Sequence, residues 1–292
     1  MSLPRTDTRV LYPDGSTSAP ALVLHLEALP EGREAVVLDA TPFHPVDAGW
    51  PDQGADRGIL RTDRGDLPIL DAVLAATDGE TLFIGADAPV RPGADGWAFL
   101  VAHVVAAAEP GVTEGETVTV IADADYRRAL SIGHTACHLA SLALNRAMAD
   151  RWTKEVRSDG LGQPDFDASA ITSSLITPGG SVDVFRLNKS LRRKGFSADG
   201  LEQALPELEA HANRTLAEWV ATGAPVRIDR DGQLLTDRRF WVCELPEASV
   251  SIACGGTHVT SLAELGDVRV SLALGEQDGS PTLTMRSDAA AA

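Results

Sequence analysis

Four side chains in this 292-residue sequence have the types and spacing to hold one metal ion. His134 and His138 lie four apart, so on a helix their imidazoles leave the same face about one turn apart and reach a common ion. Cys254 and His258 repeat that separation, but Gly255 and Gly256 between them disfavour helix and favour a tight turn, which also converges two ligands. Three imidazoles and one thiolate form a donor set that zinc takes at tetrahedral geometry. The chain has only seven histidines and three cysteines, so two such pairs together carry information. Spacing alone leaves open a chance HxxxH on an amphipathic helix and a cysteine that merely fills a core strand. Cys137, between the histidines, reads as a small packing residue. Neither a G-x-S-x-G elbow nor a Walker A run competes for the chemistry.

Both pairs need elements that position them. From Pro20 to about Val105 the sequence runs in short β-rich stretches broken by Gly, Pro and Asp, among them ALVLHLEAL, AVVLDA, GILRT, PILDAV, TLFIG and WAFLVAHVV. Many short strands point to a small barrel or sandwich. The turn-rich stretch EPGVTEG, from Glu109, precedes the strand TVTVIA and places a domain boundary near residue 112. Asp123 or Asp125 then caps a helix through YRRALSIGHTACHLASLALNRAMADRW, where Leu130, Leu139, Leu142 and Leu144 recur at helical spacing. A loop with Gly160, Gly162, Pro164, Pro178 and Gly179 leads to a strand near Val182 to Leu187. A second helix is expected from Ser197 as cap to Gly223, interrupted at Pro206. The strands PVRI, SVSIA, DVRVSLALG and TLTMR complete an α+β domain. The tail SDAAAA has nothing to bury and is expected to be disordered. The expected organisation is therefore 1–112 as a β domain, 113–286 as a metal-binding α+β domain, and 287–292 as a tail.

Composition narrows the functional classes. No window reaches the ~18 apolar residues of a membrane span, and the first residues lack a secretory pattern, so a cytoplasmic protein without a membrane partner is expected. Three cysteines do not make a disulfide framework. A net charge of −17 counts against a polyanionic partner, DNA in particular, unless a local basic stripe provides the contact. Such a stripe exists in FRLNKSLRRK, where Arg186, Lys189, Arg192, Arg193 and Lys194 concentrate positive charge.

GHTACHLASLAL followed far downstream by ACGGTHVTSLAELGDVRV resembles the HxxxH and CGGTHV motifs of the alanyl-tRNA synthetase editing domain, and most closely those of free-standing AlaX-type editing proteins. DATPFHP (Asp39 to Pro45) resembles the family's D-x-T-x-F-Y-P, and QGADRG (Gln53 to Gly58) its Q-P-G-D-x-G. ETVTVIADADYRR, FRLNK, GLEQALPELEAHANRTL and PVRI resemble the elements around and between the metal motifs, so most of the chain is covered. The resemblance implies a small N-terminal β-barrel followed by an α+β editing-type domain, with His134, His138, Cys254 and His258 as ligands of Zn2+. It further implies hydrolysis of mischarged aminoacyl-tRNA, usually serine or glycine on alanine tRNA. Thr41 and Gln53 become the catalytic and pocket candidates, with the Thr41 hydroxyl against a serine hydroxyl. Arg192, Arg193 and Lys194 become candidates for holding the acceptor end.

The sequence departs from the family where a Gly-Gly-Gly-Gln run gives way to VDAGWPDQ and His44 stands in place of Tyr. Asp47, Asp52 and Asp56 in this region are possible water-orienting carboxylates, against the ordinary reading of solvated loop aspartates. Two other functions stay open: a metal-dependent hydrolase of a small ester or amide, and a non-catalytic domain with structural zinc.

Overall fold

The computed structural model describes residues 3–47, 50–107 and 111–292. Ala48 and Gly49 of the replaced loop, and Glu109 and Pro110 of the expected boundary stretch, lie outside them. The protein is a mixed α+β chain in two compact units. The first comprises Met1–Arg127, Arg230–Arg239 and Gly255–Thr257; the second comprises Arg128–Asp229, Phe240–Cys254 and His258–Ala292. The division expected near residue 112 therefore falls at Arg127, and two later segments return to the first unit.

In the first unit the strands are β1 (Arg9–Val10), β2 (Ser18–Leu29), β3 (Arg33–Leu38), β4 (Ala40–Thr41), β5 (Gly58–Thr62), β6 (Gly65–Thr77), β7 (Leu82–Ile84), β8 (Ala98–Ala106) and β9 (Thr117–Ala122). β1 and β4 form a short parallel pair. The other seven pair in the order β5-β9-β2-β3-β8-β6-β7, and β5 also pairs with β6, so the hydrogen-bonded path returns to its start. Alternation explains the inward face: Ala19, Ala21 and Val23 of β2 are buried while Ser18, Pro20 and Leu22 between them are exposed. The core gathers Val36, Leu38, Phe43, Leu60, Phe99 and Val120.

In the second unit α1 (Ala124–Ala147), whose first residues belong to the first, is followed by α2 (Phe166–Ala170), β10 (Ile171–Thr177), β11 (Gly180–Arg186), α3 (Lys189–Lys194), α4 (Leu201–Ala221), β12 (Val226–Arg230), β13 (Arg239–Glu244), β14 (Ser249–Ala253), β15 (Leu265–Gln277) and β16 (Ser280–Ala291). One sheet has the order β10-β11-β16-β15, another β12-β13-β14. Asp123 caps α1 as expected, its Oδ1 accepting the N–H groups of Asp125 (3.1 Å) and Tyr126 (3.0 Å). α4 covers the open edge of β15. Asn213 donates to Val270 O at 3.0 Å and accepts Val270 N–H at 2.8 Å, while Glu209 accepts Leu272 N–H at 2.9 Å.

Three expectations are corrected here. Ser197 does not cap α4, since its hydroxyl accepts from Asp199 and the helix starts after Gly200 in left-handed conformation. Pro206 does not interrupt that helix: it sits in the second turn, where its missing N–H forgoes a single bond. The tail expected to be disordered is the end of β16, with Ala289 opposite Val268 and Ala291 opposite Leu265. Backbone pairing orders it without large side chains. No helix among the described residues is long and apolar enough to cross a membrane.

Candidate metal centre

α1 is buried on nearly all sides from Leu130 to Asn145, so each polar side chain on that stretch needs a partner. Asn145 donates to Asp159 (3.0 Å) and accepts the N–H of Asp167 (2.9 Å). His134, only 1% exposed, meets the downstream motif: its Nε2 is 3.4 Å from Cys254 Sγ, and His258 Nε2 is 3.2 Å from the same sulfur. His138 completes the group, and one donor atom from each of His134, His138, Cys254 and His258 lies within 4.8 Å of all the others. The rings stand 4.3 to 5.1 Å apart by centroid.

The two sulfur–nitrogen distances are close to those in a coordination tetrahedron, whose donors stand about 3.3–3.6 Å apart for zinc-type bond lengths. A second observation agrees: Nε2 of His138 is buried without a hydrogen-bond partner among the described residues, as suits a lone pair meant for a metal. Burial lowers the His138 pKa to about 4, so its imidazole is neutral and ligand-competent at neutral pH. Trp241 on β13, fully buried, packs 5.0 Å from the His138 ring and 6.1 Å from that of His258 and walls one side.

Two local devices fix this part of α1, one against the β10–β11 hairpin and one against the downstream motif. Gly133, just before His134, lets α1 approach the β10–β11 hairpin so closely that a Cβ there would lie 2.3 Å from Thr177 O. Thr135, with no exposure, accepts the Val259 N–H at 3.2 Å and sits 3.3 Å from His258 Nδ1. Thr135 and Trp241 escaped the sequence reading; the threonine of HTxxH, lying between the two ligand histidines, was the available signal.

Cys137 stands apart from this group. Its sulfur is 3.6 Å from both carboxylate oxygens of Asp183. Burial, then the Asp183 charge, push the thiol well above its ordinary pKa. Cys137 is buried, but the apolar packing expected from sequence gives way to polar surroundings: Asp183 also accepts from Ser174 (2.5 Å) and Ser181 (2.7 Å).

The pocket candidates belong to the first unit. Gln53, 1% exposed, holds Thr257 at two points: Nε2 donates to Thr257 Oγ1 and Oε1 accepts Thr257 N–H, both at 3.0 Å. Thr257 directly precedes the ligand His258 in the chain. Thr41 is fully buried, with its hydroxyl 2.8 Å from His103 Nε2 and accepting the Phe43 N–H at 3.1 Å. Burial lowers His103 to a pKa of about 4 and thus keeps it neutral. Asp56 is no solvated loop aspartate: it is buried, pairs with Arg127 (Nε–Oδ1 2.6 Å) and accepts His44 N–H at 2.5 Å. Asp52 accepts the N–H of Gln53 at 2.7 Å. His44 lies edge-on to Tyr12 at 5.1 Å, and burial lowers its pKa to about 4. In the second unit Lys189, Arg192, Arg193 and Lys194 are exposed on α3, and no carboxylate pairs with them among the described residues, whereas Arg186 is half-buried at the end of β11.

No protein-family model matches the chain. Among curated proteins, the alanine–tRNA ligase of Frankia alni is 30% identical over 250 residues, covering 84% of this chain and 23% of the ligase. That of Frankia casuarinae is 31% identical over 239 residues, with 80% and 22% covered. A chloroplastic/mitochondrial alanine–tRNA ligase of Micromonas pusilla is 27% identical over 237 residues, again with 80% and 22% covered. The chain is a homologue of alanyl-tRNA synthetases. It spans less than a quarter of the length of these relatives.

Proposed function

We propose that this protein is a metal-dependent trans-editing hydrolase of the cytoplasm that deacylates mischarged tRNA, with serine or glycine on alanine tRNA as substrates. The convergence of His134, His138, Cys254 and His258 carries the reading, because these residues form the two motifs that resemble those of editing domains, and the relatives are alanine–tRNA ligases. Hydrolysis adds water across the ester between the amino acid and the terminal ribose, passing through a tetrahedral oxyanion. A zinc ion held by these donors would supply positive charge beside that ester or an anchor for the ribose hydroxyls. Four protein donors would fill a tetrahedral shell, so either role would need a fifth position or the departure of one donor, and a shell that stays closed would make the ion structural.

The chain's own residues divide the remaining work. His138, neutral, would hold the ion with His134, Cys254 and His258. Gln53 fixes the loop leading into His258 by its grip on Thr257. Thr41 is the residue assigned to serine recognition: its proton faces His103 and one lone pair takes the Phe43 N–H, which leaves the other lone pair to accept a serine hydroxyl. We read the closed strand path of the first unit as the small barrel of editing proteins. The exposed, carboxylate-free Arg192, Arg193 and Lys194 are assigned to acceptor-end phosphates.

The net charge of −17 favours a second reading, hydrolysis of a small ester or amide. One experiment separates them: release from seryl-, glycyl- and alanyl-tRNA beside small amino-acid esters, for the wild type and an Arg192, Arg193 and Lys194 to Ala triple variant across a salt series. Editing predicts seryl- or glycyl-tRNA turnover and, in the variant, weaker tRNA binding with a salt slope lower by about three contacts. Turnover of small esters alone, with no effect of the triple substitution on tRNA binding, refutes it.

A further inference from the structure

The proton on a metal-binding imidazole must sit on the nitrogen that does not bind. His258 presents Nε2 to the four-donor group, 3.2 Å from Cys254 Sγ. Its Nδ1 therefore has to carry the proton, and whatever faces Nδ1 has to accept it. The group 3.3 Å from Nδ1 is the hydroxyl oxygen of Thr135, buried on α1 between the two ligand histidines.

That oxygen has two lone pairs and one proton. The Val259 N–H, which can only donate, takes one lone pair at 3.2 Å. The other lone pair is available to His258 Nδ1–H while the hydroxyl proton turns elsewhere. We propose that Thr135 is a positioning residue of the metal centre, accepting the Nδ1 proton of His258 and so fixing the tautomer whose Nε2 lone pair faces the ion. One helix-borne oxygen thereby ties the ring of a loop-borne ligand, and the peptide following it, to the helix that carries His134 and His138. Partners of this kind orient ligands and raise their basicity.

The inference rests on the four-donor reading of the centre. A plainer role for Thr135 would be to satisfy the buried Val259 N–H, and losing that bond would lower stability without changing how the metal is held. The test therefore measures both. Zn2+ affinity is obtained by competition with a chromophoric chelator, and the visible absorption of the Co2+-loaded protein is recorded, for wild type, Thr135→Ser and Thr135→Val, beside urea unfolding of each metal-free protein. Thr135→Val is expected to lose about 10- to 100-fold in Zn2+ affinity and shift the Co2+ bands, while Thr135→Ser stays within about threefold of wild type. Wild-type affinity and an unchanged Co2+ spectrum in Thr135→Val, with only stability lost, overturn the proposal. A wild-type protein that takes up no metal overturns the four-donor reading itself, and this inference with it. If Thr135→Val does not fold, nitrogen NMR of the imidazoles in metal-free wild type decides: His258 protonated on Nδ1 supports the proposal and protonated on Nε2 refutes it.

Discussion

Replacing Gly133 by alanine tests how the helix is seated, and the sign of the effect is diagnostic. Within a helix, Gly to Ala normally stabilises by about 1 kcal/mol. At Gly133 the added Cβ would lie 2.3 Å from Thr177 O and 2.6 Å from both N and O of Gly180. All are backbone atoms of the β10–β11 turn, which Gly179 N–H ties to Ala129 O at 2.9 Å, so no side chain can swing aside. Reaching even 3.0 Å requires helix and hairpin to part by about 0.7 Å. Overpacking of this kind costs roughly 1–3 kcal/mol, and against backbone the upper end applies, leaving a net loss of about 2 kcal/mol after the propensity gain. His134 is the next residue, and about 0.7 Å is a third of a zinc–nitrogen bond of about 2.0–2.1 Å, so metal affinity should fall as well. Urea unfolding of the metal-free proteins, with an unchanged m-value, gives the first quantity and chelator competition the second. An alanine variant as stable as wild type, or more so, refutes the close seating of α1 on the hairpin.

Elemental analysis should find about one divalent ion per wild-type chain and strongly reduced occupancy in Cys254→Ala and His138→Ala; full occupancy in both variants would remove these residues from the ligand set. Burial, with the charges of Asp183 and then Asp165, raises Asp167 from 3.8 to about 7, so its ionised form costs the folded state. That cost is absent below pH 3.8 and complete above about 7, so Asp167→Asn should stabilise more at pH 8 than at pH 5 in urea unfolding, and equal effects at both would show a normal carboxyl. Thr41→Val strands buried partners at His103 Nε2 and Phe43 N–H and should cost about 1–3 kcal/mol. If the Thr41 hydroxyl reads the substrate, serine release also falls more than glycine release; equal losses in deacylation assays assign Thr41 to the fold alone.

What was legible in the sequence is what local pattern encodes. The leucine spacing around HTACH marks α1, Asp123 marks its start, alternating apolar residues mark β2, β9 and β15, and continuous apolar runs mark β3 and β8. β13 was missed because its apolar run, FWVC, is short and flanked by Arg239 and Glu244; its Trp241 became visible as a wall only in three dimensions. The interleaving of the units was not legible either. The segment Arg230–Arg239 joins the first unit through pairings such as Val10 N–H to Gln233 O and Leu235 N–H to Thr8 O, partners more than two hundred residues apart. Gln53 stood too far from Pro45 for the family pattern, yet its amide meets both the N–H and the hydroxyl of Thr257. Chain position poorly predicts where a long-range amide clamp closes.

The two cysteines near the histidines show where spacing stops and environment takes over. By chain proximity Cys137 could be mistaken for a ligand, since it lies on α1 three residues after His134. A ligand sulfur must be a thiolate, and thiolates form beside cationic or metal-binding groups. The Cys137 sulfur instead faces the Asp183 carboxylate in a buried setting, where losing its proton would place two negative charges 3.6 Å apart. It remains a thiol and donates to that carboxylate. Cys254, one hundred and twenty residues beyond His134, has its sulfur between two imidazole nitrogens at 3.2 and 3.4 Å, where a bound ion would compensate its charge. Both cysteines lie close to the same helix, and the neighbouring carboxylate or imidazole decides which of them can bind metal.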